Sequence, residues 1–201
     1  MFIQVITGKV NDVEAFRKQD QRWHDELQAG ATGFLGSTAG TTDDGRFLVS
    51  ARFESAEAAQ RNSDRPEQGA WWAETEQYLS DVEFHDSNKQ TTLFGGGSND
   101  ATFIQVMRGR VTDRDKVASL DSRTSEFESV LGAARPDVIG ETIAFHDDGD
   151  GYTDIVYFTS EADARANETK EMPAEAQKLM EELMSAIEVD EYLDLKDPSL
   201  R

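Results

Sequence analysis

The chain has 201 residues, no cysteine and a formal net charge of -20 at pH 7. That length suits two domains, each with a modest core of its own, and the missing cysteine excludes disulfides and thiolate metal sites. The first hundred residues carry nine basic and seventeen acidic side chains and the rest eleven and twenty-three, so neither half offers a basic face to nucleic acid or anionic membrane.

No apolar run approaches the roughly 20 residues of a membrane span. The segment Met1-Phe-Ile-Gln-Val lacks the charged and apolar regions of a signal peptide. A soluble cytoplasmic protein is expected.

The opening Phe2-Ile-Gln-Val-Ile-Thr-Gly-Lys-Val10 alternates and is rich in β-branched residues, which predicts a strand over 2–8. Phe103-Ile-Gln-Val-Met-Arg-Gly-Arg-Val111 repeats it and predicts a strand over 103–109. A repeat of this length is the size of a small domain, so the chain reads as two copies of one fold. Val13, Phe16, Asp20, Trp23 and Leu27 then fall at helical spacing, matched by Val117, Leu120, Thr124, Phe127 and Leu131 after a short insertion near Arg114–Lys116.

A second strand over 33–38 is matched at 137–142. Each runs into a hairpin turn, Asp43-Asp44-Gly45 and Asp147-Asp148-Gly149, whose residues tolerate the positive φ such turns need. Third strands follow at 46–53 and 152–158. Ser55 and Ser160 read as N-caps of a second helix. That helix is interrupted at Asp64-Arg-Pro66 and again near Met172-Pro173. Fourth strands are predicted at 82–85 and 187–190, with short extra strands at Thr91–Phe94 and Tyr192–Leu195 that suit pairing with the edge of the opposite half.

Each copy is therefore β-α-β-β-α-β, the ferredoxin-like arrangement of an α+β protein. The expected organisation is a first repeat over 1–90, a tail and Gly/Ser linker over 91–101, and a second repeat over 102–201. Helices on one face of each sheet leave the other face to be covered, which the second copy can do.

The stretch Asn62-Ser-Asp-Arg-Pro-Glu-Gln-Gly-Ala-Trp-Trp-Ala73, preceded by Phe53-Glu-Ser-Ala-Glu-Ala-Ala59, resembles the helix break and tryptophan-bearing helix of antibiotic biosynthesis monooxygenase domains. The repeated unit is similar to the dimeric α+β barrel superfamily to which they belong, here in tandem duplication, with the two sheets packed into an intramolecular barrel. The resemblance covers most of both halves in element order and is sharp at residue level only over 53–73. It implies a cofactor-independent monooxygenase acting on a small aromatic or polyketide-like molecule, without metal or flavin. The alternative is a non-catalytic small-molecule-binding or structural barrel, since this fold hosts many activities.

Candidate chemistry gathers in the first copy, which holds all three tryptophans. Trp23 and Trp71 offer indole surface to a flat aromatic ligand or fill the core. Asp20 lies on the inward stripe, where desolvation would raise its pKa toward that of a working base; pairing with Arg17 or Arg22 is the competing reading. Asn62 stands where the resemblance implies a hydrogen-bond donor to an oxygenated intermediate, although Asn167 matches it and suggests a shared helix-end role. Gln4 is polar on an apolar strand face and is read as substrate-binding or as paired with backbone or water. His24, His85 and His146 show no helical ligand spacing, so no metal site and no cofactor is expected. The fused copies predict a monomer with an internal pseudo-dimer, a homodimer being the alternative.

Overall fold

A computed structural model describes residues 1–201. In chain order the elements are β1 (Phe2–Val10), α1 (Val13–Arg22), β2 (Phe34–Thr41), β3 (Arg46–Phe53), α2 (Ala56–Ser63), α3 (Pro66–Thr75), β4 (Leu79–Ser87), β5 (Lys89–Leu93), β6 (Phe103–Val111), α4 (Arg114–Asp121), α5 (Thr124–Ala134), β7 (Val138–Phe145), β8 (Gly151–Phe158), α6 (Glu161–Glu168), α7 (Ala174–Met184) and β9 (Ile187–Leu200). The chain divides into two compact units, Met1–Asn88 with Lys196–Arg201, and Lys89–Leu195.

In the first unit the strand order is β4-β1-β3-β2, with the last residues of β9 beside β2. In the second it is β5-β7-β8-β6-β9. Every strand pairing with a determined register is antiparallel, and the β-α-β-β-α-β order appears in both units. Helix starts are set by side chains that accept from the first free N–H groups: Asp12 from Ala15, Asp113 from Lys116, Ser55 from Ala58 and Ser160 from Asp163. Gly45 closes the first hairpin at φ +81°. Helices cover one face of each sheet, as in the clusters of Phe16 with Phe47 and Leu79, and of Leu120, Phe127 and Leu179 with Leu93.

Three expectations change. Counted from the aspartate caps, Phe16 corresponds to Val117 and Asp20 to Asp121. The three-residue insertion lies at the break between α4 and α5, not near Arg114–Lys116. The first unit has no such break: its helix runs on through a π turn over Trp23–Leu27.

The second helix pair also shifts. Pro66 and Ala174 open α3 and α7, and Tyr78 and Ala186 accept the equivalent backbone bonds from Asn11 and Thr112. Trp71 therefore matches Leu179 and Trp72 matches Met180. Last, Tyr192–Leu195 is no separate strand but the middle of β9, and it is Lys196–Leu200 that pairs with β2. The tail of the first repeat does form a strand, β5, on β7 of the second unit.

Candidate functional site

Each unit encloses a cavity between its helices and its sheet. The first unit's indole-lined cavity is about 100 Å³, and Gln4, Asp20, Trp23, Asn62 and Trp71 all line it; a second cavity in that unit, about 280 Å³, shares Phe16 and Asp20 with it and is also lined by Arg17 and Arg201. The second unit's is about 250 Å³. A cavity of roughly 150 Å³ takes benzene, so the indole-lined cavity falls short of an aromatic ring while the second unit's has room for a substituted or fused one. The register explains the difference, because two indoles of α3, Trp71 and Trp72, give way to Leu179 and Met180 on α7.

Around the smaller cavity the candidate side chains are already engaged. Gln4 Nε2 donates to Asp86 at 3.0 Å, and Asn62 Oδ1 accepts from Arg65 at 2.8 Å. The indole N–H of Trp23 donates to Gln68 Oε1 at 2.6 Å, and that of Trp71 to the Gln19 carbonyl at 2.9 Å. Asp20 differs. Arg17 turns to Glu14 and Asp197, and Arg22 to Glu26 and Glu74, so neither arginine pairs with it. Its one ionic neighbour is His24, 3.7 Å away.

The floor of the second unit's cavity is a sheet face on which β8 presents Tyr152, Asp154, Val156 and Phe158, β7 presents Glu141, Ile143 and Phe145, and β6 adds Gln105 and Met107. Glu141 lies between Leu93 and Val156, and Asp154 between Ile143 and Met107. Two carboxyls are thus diagonal cross-strand neighbours in apolar surroundings. Burial pushes Glu141 up to about 7. Asp154 is driven well above the carboxylate range by burial first and by the charge of Glu141 second. Both carboxyls are held toward the protonated form, and once one of them ionises its charge keeps the proton on the other. Asp154 Oδ1 and the Tyr152 hydroxyl are buried without a hydrogen-bond partner, and burial raises the Tyr152 phenol above its ordinary value.

Other polar groups at this cavity are held by neighbours. Arg135 grips Asp137 through two bonds of 3.1 and 2.8 Å and lies over the Phe158 ring. Asp121 accepts from the Thr91 hydroxyl. What remains is an apolar chamber with one carboxyl poised to take a proton and, beside it, a protonated carboxyl and a phenol able to donate hydrogen bonds.

Sequence reasoning did not single out Glu141 and Asp154, yet the signal was there. Glu141 stands where the first copy has Ser37, and Asp154 where it has Val49, in strands whose other cavity-facing residues are mostly apolar. A charge replacing an apolar or small residue on an inward strand face marks either a cost or a function.

A solved structure described as a "putative monooxygenase" from Fusobacterium nucleatum matches the fold with a TM-score of 0.75 at 10% identity, over 100% of this chain and 93% of the other. An "anthrone oxidase-like protein" matches with a TM-score of 0.70 at 13% identity, over 100% and 92%. This is the fold of the monooxygenase-like dimeric α+β barrels. A further "putative monooxygenase", from Lactobacillus acidophilus, agrees with a TM-score of 0.68 at 13% identity, over 99% and 93%. No protein-family model and no curated protein matches the chain. The fold implied by residues 53–73 is therefore found, and at such identities the likeness speaks for fold alone. No helix is long and apolar enough to cross a membrane.

Proposed function

We propose that the protein is a monooxygenase-like enzyme for a small aromatic or polyketide-like molecule, and that the cavity of the second unit is where its substrate binds. The observation that carries this reading is the pairing of volume and chemistry: a chamber of about 250 Å³ with a carboxyl of pKa about 7 on its floor. A base with that value is matched to proton removal near neutral pH.

In this reading Glu141 takes the proton of a phenolic or enolic hydroxyl. The anion left behind is electron-rich at a ring carbon, where dioxygen adds; loss of that carbon's hydrogen and cleavage of the O–O bond leave a carbonyl there and release water, so the substrate, oxidised to the quinone level, itself supplies all four electrons and both protons. Asp154, protonated, and Tyr152 donate hydrogen bonds to the developing negative charge, which the apolar walls would otherwise penalise. No metal or flavin has a part in the proposal.

The test is oxygen uptake by purified protein with a panel of hydroxynaphthalenes and hydroxyquinones, without added metal or flavin. Uptake that yields oxygenated product supports the reading. Binding of panel members with no product would favour the non-catalytic binding barrel instead, and neither uptake nor binding would refute both.

A further inference from the structure

The second unit's cavity carries an imbalance of charge. Three carboxyls line it, those of Asp121, Glu141 and Asp154, against one guanidinium, that of Arg135. The guanidinium is already engaged, holding Asp137 at 2.8 and 3.1 Å and lying over the Phe158 ring. Asp121 accepts from the Thr91 hydroxyl. Lys89 stands over the Phe145 ring but is exposed and does not line the cavity. Tyr192 and Asp190, which act on the Tyr152 phenol, are not cations. No positive group comes near enough to Glu141 or Asp154 to draw either carboxyl down. Two acids and a phenol thus share an apolar floor with nothing positive among them. Asp154 Oδ1 and the Tyr152 hydroxyl are buried there without a hydrogen-bond partner, a costly state unless a ligand supplies one.

We propose that this cavity is a binding site for a protonated primary aromatic amine, which shuts out the phenolic substrate. A primary ammonium has three N–H donors. The floor offers three oxygens to receive them: one of Glu141, Oδ1 of Asp154 and the Tyr152 hydroxyl. Phe94, Phe127 and Phe145, with Met107 and Met180, give the ring an apolar wall. The volume of about 250 Å³ exceeds the roughly 150 Å³ that accepts benzene, which leaves space for a short aminoalkyl arm. A bare metal ion would need about six oxygen ligands, and these walls are almost wholly hydrocarbon and sulfur. An aromatic acid would meet the carboxyls with like charge. The ammonium asks for a carboxylate opposite it, so its binding drives a proton off the acid pair. The carboxylate so formed is held as counter-ion and no longer takes a proton from a substrate. The blocking rests on the function proposed above; the binding does not.

The experiment is titration calorimetry on the full chain with 2-phenylethylamine, with 2-phenylethanol, which has the same number of heavy atoms, and with phenylacetate. At pH 7 the amine should bind tighter than the alcohol by about tenfold or more, and phenylacetate more weakly than either. Affinity for the amine should rise between about pH 5 and 7 as the expelled proton becomes easier to lose, while that for the alcohol stays nearly level. Repeating the titration at pH 6 in two buffers of different ionisation enthalpy counts the proton released. Glu141→Gln combined with Asp154→Asn should erase the amine's advantage. Equal affinity for amine and alcohol, amine binding without proton release at pH 6, or an advantage that survives the double substitution each overturns the proposal. The comparisons on the unmutated protein stand even if the double variant fails to fold. Amine binding as expected, with no phenol driving oxygen uptake, supports this site and counts against the function proposed above. Oxygen uptake that the bound amine does not slow overturns the blocking.

Discussion

Replacing Glu141 by glutamine should make the protein more stable, and only at the alkaline end. The raised carboxyl works against folding in a pH-dependent way. Near pH 4 Glu141 is protonated in both the folded and the unfolded chain and contributes nothing. Between its ordinary value of 4.5 and about 7, the unfolded chain gives up the proton while the folded chain keeps it. Folding then takes up a proton, and stability falls as pH rises until Glu141 ionises in the fold as well. The gap from 4.5 to about 7 corresponds to about 3 kcal/mol. Glutamine keeps the shape of the protonated acid and never ionises. Glu141→Gln should thus match the parent near pH 4 and exceed it by up to about 3 kcal/mol at pH 8, or roughly 6–12 °C in Tm for a chain of this size. Urea unfolding followed by far-ultraviolet ellipticity across this range is the assay. Tryptophan fluorescence would miss it, because every tryptophan lies in the first unit. Parallel stability curves for parent and variant at all pH values would refute the reasoning, for they would mean that Glu141 titrates as an ordinary carboxyl.

Three further outcomes follow from the same geometry. Met180→Trp puts an indole where the first unit has Trp72, and should weaken binding of a ring-sized ligand in the second unit by tenfold or more while costing about 1–3 kcal/mol of stability through overpacking; calorimetry with a hydroxynaphthalene and thermal unfolding measure the two effects. Arg135→Ala leaves the carboxylate of Asp137, 1% exposed, without its partner, and should cost about 3–5 kcal/mol by chemical unfolding. Ser55→Ala and Ser160→Ala each remove an N-cap and should cost about 1 kcal/mol, measured in the same way.

The elements were legible wherever one face of a strand or helix is buried and the pattern repeats. The opening strands, the Asp-Asp-Gly turns and the capping serines are local signals, and each is read twice in the chain. Register within the helices was not legible. A three-residue insertion in the second copy can be placed at either end of a helix without spoiling its apolar spacing, and only the caps at Asp12 and Asp113 and the backbone bonds to Tyr78 and Ala186 decide it. The five candidates named in the first copy do come together around one cavity, because inward positions on β1, α1, α2 and α3 converge above the sheet. The volume left between them was invisible in the sequence, since it depends on which side chains of α3 and α7 face each other's counterparts. Glu141 and Asp154 were visible as residues, but their adjacency depends on the pairing of β7 with β8 at Ile143 and Asp154.

In the proposed reaction the second unit's cavity binds the substrate and Glu141 takes its proton. Oxygen uptake with an accepted hydroxynaphthalene, compared among the parent, Glu141→Gln and Met180→Trp, tests it most directly. Removing the base should cost about 100-fold or more and filling the chamber a comparable factor, with both variants folded. Uptake that persists unchanged in both folded variants would contradict it.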